Sequence, residues 1–154
     1  MSQGIFESLS YIKNMIEEIL PKTDTHHGFV SVDDGRGLVT SLNDRFEAQR
    51  QFSLELITLA EDDGSSGLSG RKRVNVEIHI KYSIPKEDGF RIRMMNEDAG
   101  KIIDTIKGPQ YNFAETGIVS VITLQSRIDE LTDINGAVTS HLLIVPFDLL
   151  YMEN

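Results

Sequence analysis

The sequence predicts an α+β protein: mainly antiparallel β-sheet, with an N-terminal amphipathic helix and a second short helix packed on one face. Three observations carry this. Residues 73–84, RVNVEIHIKYSI, alternate apolar and polar side chains without a break, the period of a half-buried strand. Residues 5–20 repeat apolar side chains at helical spacings. An Asn135-Gly136 pair divides two extended runs near the C-terminus, which signals a β-hairpin.

The first element is a helix over about 3–20, with Ile5, Phe6, Leu9, Ile12, Ile16, Ile19 and Leu20 as its apolar stripe and Pro21 as its stop. GFVSV follows as a short strand, closed by the turn residues Asp33-Asp34-Gly35. Residues 38–50 have mixed periodicity that fits an irregular loop and the start of a strand equally. Phe52, Leu54 and Leu56 alternate with Ser53 and Glu55, so 50–60 is expected as a strand. EDDGSSGLSGRKR then forms a flexible surface connection, and the strands on either side of it pair antiparallel.

After Pro85 and a turn at Glu87-Asp88-Gly89, NEDAGKIIDTIKGPQ supplies Asn96 as N-cap, apolar Ile102, Ile103 and Ile106, and a Gly108-Pro109 stop. The expected helix covers about 97–107. GIVSVITLQSRIDEL and AVTSHLLIVPFDLLYM are the final two strands. From Leu142 to Tyr151 apolar residues occupy both faces, which requires burial on two sides, or a core on one side and another subunit on the other.

A chain of 154 residues is one domain, 1–154, with flexible loops expected near 22–50 and 61–72. At 40% hydrophobic and 25% charged residues it folds by burial. The absence of cysteine excludes disulfides, thiolate metal sites and cysteine nucleophiles. No apolar run approaches the ~20 residues that span a bilayer, and MSQGIFESLS lacks the basic-then-apolar layout of a signal peptide, so a cytoplasmic location is expected. A net charge of −9 opposes tight phosphate binding, although an acidic wall lets a polyanion pass without sticking.

Motifs for catalysis are weak throughout. His26, His27, His79 and His141 lack the spacing of a zinc site, and GSSGLSG does not match a nucleophile elbow. Asp33-Asp34 and Asp62-Asp63 adjoin glycine, as turn residues do, and Gly35-Arg36-Gly37 lacks the rest of a phosphate loop. There is no tryptophan and no aromatic ladder for base stacking. This leaves no catalytic, cofactor-binding or metal set, and no cofactor is expected. The competing reading is a small α+β enzyme or ligand-binding domain with His79, His141 and nearby carboxylates around a pocket.

An N-terminal amphipathic helix, the strand RKRVNVEIHIKYSI behind a polar loop, the helix NEDAGKIIDTIKG, and GIVSVITLQSRI followed by a strand ending in LLIVPFDLLYM together resemble the tail terminator proteins of long-tailed bacteriophages. The resemblance lies in element order over nearly the whole chain. It implies a virion protein, not an enzyme, that closes as a homohexameric ring on the tail tube protein and ends tube growth. It further implies a surface for the head–tail connector or neck protein, a central hole for DNA without specific binding, and no membrane partner. Six copies would carry about −54 formally, a field that discourages DNA from sticking. The residues expected to meet neighbouring subunits or partners are Arg36, Asp62, Asp63, Arg71, Lys72, Arg73, Glu77, His79 and Lys81. On this reading Arg73→Glu and Lys81→Glu should spare folding and impair assembly.

Overall fold

Two long strands organise the protein. In the computed structural model, which describes residues 4–19, 29–31, 50–62, 71–83, 88–108, 111 and 113–152, β4 (Arg71–Ser83) and β7 (Val138–Met152) pair antiparallel from Arg71↔Met152 to Ser83↔Ser140. Outside β4 lies β2 (Arg50–Leu56), antiparallel, and outside β2 lies β1 (Phe29–Ser31), parallel. Outside β7 lie β5 (Ile118–Thr123) and β6 (Arg127–Thr132), each antiparallel to it. The short β3 (Glu61–Asp62) pairs with the start of β4. This mostly antiparallel sheet with its helices is an α+β fold, as the sequence predicts.

Alternation in β4 sends Val74, Val76, Ile78, Ile80 and Tyr82 to one face, where all five are buried. Their register partners Leu149, Phe147, Val145 and Leu143 continue that face across β7, and Phe52 continues it across β2. Against it pack α1 (Ile5–Glu17) through Ile12 and Ile16, and α2 (Asp88–Lys107) through Met95, Ala99, Ile102 and Ile106. A single-turn helix, α3 (Phe113–Thr116), leads into β5. Tyr82 on the sheet donates a 2.6 Å hydrogen bond to Asp98 of α2, fixing helix to sheet through two buried polar groups. A buried carboxylate needs such a partner, because its desolvation is otherwise uncompensated.

Three expectations change. The second helix begins at Asp88 and not near 97, so Asp88-Gly89 lies inside the helix, and Asn96 is an exposed residue mid-helix, not the N-cap. Met95, Ala99, Ile102 and Ile106 form one continuous stripe, and no proline interrupts the chain between Pro85 and Pro109, so packing carries the helix past the local turn signal. Its end is as expected. Gly108 N–H bonds the Asp104 carbonyl at 3.0 Å, and a Cβ at Gly108 would stand 2.7 Å from that oxygen.

Residues 117–131 do not form one strand. They divide into β5 and β6, with three residues, 124–126, opposite only Val145 and Pro146 of β7. The cause lies on the partner strand: the Pro146 carbonyl accepts from Leu124 N–H at 3.0 Å, so its nitrogen, which has no hydrogen to give, faces the same break. A proline inside a sheet is tolerated where a bulge removes the need for its missing donor.

The stretch 61–72 is not wholly a loop. Glu61 and Asp62 pair with Arg73 and Lys72, and Arg71 and Lys72 already belong to β4. Between β2 and β3, residues 57–60 oppose only Val74 and Asn75, a bulge in which the Thr58 hydroxyl accepts from Asn75 N–H at 3.1 Å.

As expected, Asp133-Ile134-Asn135-Gly136 makes the turn that closes the β6–β7 hairpin; among the described residues no non-glycine has positive φ, so it is not the two-residue type that needs it at both centres. Gly136 alone takes φ +83°, and the Asp133 carboxylate accepts from Asn135 N–H at 2.8 Å and Ala137 N–H at 3.0 Å.

Candidate functional site: the polar face and the margins of the sheet

The polar half of the β4 alternation faces away from the helices. Across it, register sets Glu55 of β2 opposite Glu77, and Ser53 opposite His79. Like charges directly opposite one another destabilise a sheet. Here the repulsion is answered from both sides: Glu77 accepts from His79 Nε2 at 2.8 Å and from Arg127 of β6 at 3.2 Å, while the Ser53 hydroxyl donates to Glu55 at 2.8 Å. Arg127 also lies 3.8 Å from Asp129.

Burial pushes the Glu77 carboxyl up. The hydrogen bond from His79, the charge and hydrogen bond of Arg127, and the charge of His79 push it down, and the net position is below its usual 4.5. The group is therefore an ionised acceptor held by two donors.

At the other end of β4, Arg73 donates to the carboxylate of Asp148, whose side chain is only 7% exposed. Arg73 itself is 43% exposed, so the ion pair reaches from a buried acid on β7 to the surface. The same face of β7 buries Leu142, Ile144 and Leu150, with Leu131 packed against the first two. Both faces of the last strand are thus buried within one chain, the first of the two alternatives the sequence leaves open.

Of the expected contact residues, Arg73, Glu77, His79 and Lys81 share the polar face by alternation, and Glu77 and His79 are bonded to each other. Arg71 and Lys72 open β4, opposite Met152 and Tyr151, and Asp62 is placed by its backbone opposite Lys72. Arg36 and Asp63 lie outside the described residues, as do His26, His27, Asp33 and Asp34. His141 pairs with Tyr82 on the helix-covered face, whereas His79 lies on the opposite one, so the two histidines do not share a pocket. Among the described residues no group of three His, Asp or Glu side chains is arranged to hold a metal ion.

Sequence reasoning missed Arg127, Asp148, Glu55 and Ser53, whose roles come from cross-strand pairing that no local motif announces.

It also missed the aliphatic side chains at the two margins of the sheet. Leu56, Ile57 and Leu59 are exposed at the β2–β3 bulge, Leu59 at 92%. Ile122, Leu124 and Ile128 are exposed along β5, the 124–126 break and β6. Open grooves flank α1, one of them lined by Tyr11, Met15, Ile19, Lys101 and Asp104. Tyr11 meets Tyr111 edge-on at 6.3 Å, and the Tyr111 hydroxyl donates to the Ile106 carbonyl; burial, and then the neighbouring Tyr11, raise its pKa. No described helix is long and apolar enough to cross a membrane.

No family model matches the chain, and no curated protein matches it in sequence.

Proposed function

We propose that this chain is a structural virion assembly protein of the tail-terminator kind, which closes as a ring on the end of a phage tail tube, ends tube polymerisation and offers a surface for head–tail joining. The observation that carries the reading is the exposed aliphatic side chains at opposite margins of one sheet, Leu56, Ile57 and Leu59 at the β2–β3 bulge and Ile122 and Leu124 at the end of β5. Contiguous exposed apolar side chains mark interaction surfaces. Two different patches on opposite sides of a subunit favour head-to-tail contacts, and such contacts generate rings when the rotation closes.

The charge supports the same reading. A subunit of −9 repeated around a hole repels the phosphate backbone and lets DNA through. The Glu77-His79-Arg127 network supports a structural role for the polar face, with each charged group placed to hold the sheet.

The test is assembly with a phage tail-tube protein from the same source. Added to polymerising tubes, this protein should bind tube ends and shorten the length distribution in proportion to its concentration. Tubes of unchanged length with no protein at their ends would reject the proposal.

A further inference from the structure

Of the asparagines in the chain, only Asn135 stands before a glycine. That pair carries chemistry of its own, independent of the ring reading. The Gly136 backbone nitrogen, once a base has taken its proton, can attack the side-chain carbon Cγ of Asn135. The new N–Cγ bond closes a cyclic imide, the amide C–N bond breaks, and its nitrogen leaves with that proton as ammonia. Water then opens the imide at either carbonyl, leaving aspartate at 135 or an isomer with one extra methylene in the main chain. Asparagine is thermolabile, and a following glycine has no side chain to hinder the ring closure.

The pair is open to water and base. Asn135 and Gly136 are exposed, and a Cβ added at Gly136 would meet nothing within 4 Å. The turn nevertheless holds the attacking nitrogen. Gly136 N–H donates to the Asp133 carbonyl at 3.0 Å, and the amides on either side, Asn135 and Ala137, donate to the Asp133 carboxylate at 2.8 and 3.0 Å. Asp133 N–H donates in return to the Ala137 carbonyl at 2.9 Å. One residue thus fixes the consecutive amides of 135–137. The imide nitrogen carries no hydrogen, so the bond to the Asp133 carbonyl is lost in the reaction. A deprotonated Gly136 nitrogen would also carry its charge beside the Asp133 carboxylate, and like charge disfavours the ionised form.

We infer that Asn135 is a site of spontaneous deamidation which Asp133 keeps shut in the folded hairpin, so that modification proceeds through the opened turn. The rate in the folded protein is then the open-chain rate scaled by the fraction of time the turn is open, and exposed turns open locally without global unfolding. The product acts where it forms. Aspartate at 135 sets a second carboxylate two residues from Asp133, and the isomer lengthens the connection between Thr132 and Val138, the last register pair of β6 and β7.

The test is peptide mapping by mass spectrometry of folded protein held at mildly alkaline pH and sampled over time. It reads conversion at Asn135 separately from Asn75, which lies within β4 before a valine and serves as the internal control. Asp133→Ala, whose folding is checked by circular dichroism, should speed conversion at Asn135 about tenfold, because it removes two hydrogen bonds of ordinary strength. Asp133→Asn keeps the oxygen acceptor and loses the charge, so its rate should fall between the two. In concentrated urea all three proteins should convert at similar rates, faster than folded wild type. Equal rates for folded wild type and folded Asp133→Ala would overturn the role of Asp133. Wild type that converts as fast folded as in urea would overturn the protection without recourse to any variant, and an Asn135 that stays intact in urea would overturn the site itself.

Discussion

Glu77→Gln isolates the charge at the centre of the polar face. The wild-type carboxylate accepts from His79 at 2.8 Å and from Arg127 at 3.2 Å, and its side chain is 15% exposed. A glutamine of the same shape offers one acceptor and one donor, so one of the two bonds becomes donor against donor. A hydrogen bond to a charged group is worth about 1.5–3 kcal/mol when buried, and a half-exposed pair such as Arg127's about 0.2–1 kcal/mol. Relief of repulsion from Glu55 returns a few tenths of a kcal/mol, roughly. The net expected loss is about 1–2 kcal/mol, combining these terms.

The acid limb of the stability profile gives the sharper readout. Glu77 titrates below 4.5 in the folded protein, so the unfolded chain takes the proton more readily. The stabilisation is therefore complete above the unfolded value and disappears as pH falls through the folded one. Urea unfolding of both proteins at about pH 5.5, and in steps down to about pH 3, should show the gap between them closing toward zero. A gap that stays constant or widens over that interval, or a more stable variant at about pH 5.5, would refute the assignment of Glu77 as an ionised acceptor held by His79 and Arg127.

Other substitutions probe separate parts of the account. Arg73→Glu would set a second carboxylate against the buried Asp148, so it should cost about 1–3 kcal/mol of folding stability in a denaturation experiment, in place of the folding-neutral effect expected from sequence. Tyr82→Phe removes the hydroxyl that donates to Asp98, which is 2% exposed, and should lower the denaturation midpoint by an amount equivalent to about 1–3 kcal/mol. Gly136→Ala forces a side chain into φ +83° where nothing lies within 4 Å of the new Cβ, so only backbone strain of about 1–2 kcal/mol should appear on urea unfolding. Ile78→Asp buries an unpaired charge in the middle of the sheet and should abolish the cooperative transition seen by circular dichroism.

The parts of the fold legible in the sequence are those whose cause is local. The alternation of 73–84 marks β4 because its two sides differ in chemistry, and the spacing of Ile12 and Ile16 marks α1 because one face is buried. The apolar density of 142–151 announces burial on both faces of β7, though not that Leu131 of the neighbouring strand helps to cover the second.

What was not legible has its cause elsewhere in the chain. The break between β5 and β6 is explained by Pro146, which lies 20 residues beyond the last residue of the break, Ser126. Arg127, which bonds Glu77, and Asp148, which bonds Arg73, come from 50 and 75 residues away. Asp88-Gly89 reads as a turn in isolation and becomes helix because the stripe that follows it packs on the sheet. The candidate surface was half visible for the same reason: Glu77, His79 and Arg73 stand out on one strand, while Arg127, Asp148 and the exposed leucines acquire meaning only in register.

The central claim is that this chain builds a closed ring. Native mass spectrometry with negative-stain class averages of the purified protein, alone and with the tail-tube protein, tests it most directly. The account predicts a discrete closed particle, near 104 kDa for six copies of the 17.3 kDa chain, with a central hole in the averages. A species that remains at 17.3 kDa at every concentration and on the tube, or open filaments of indefinite length, would contradict it.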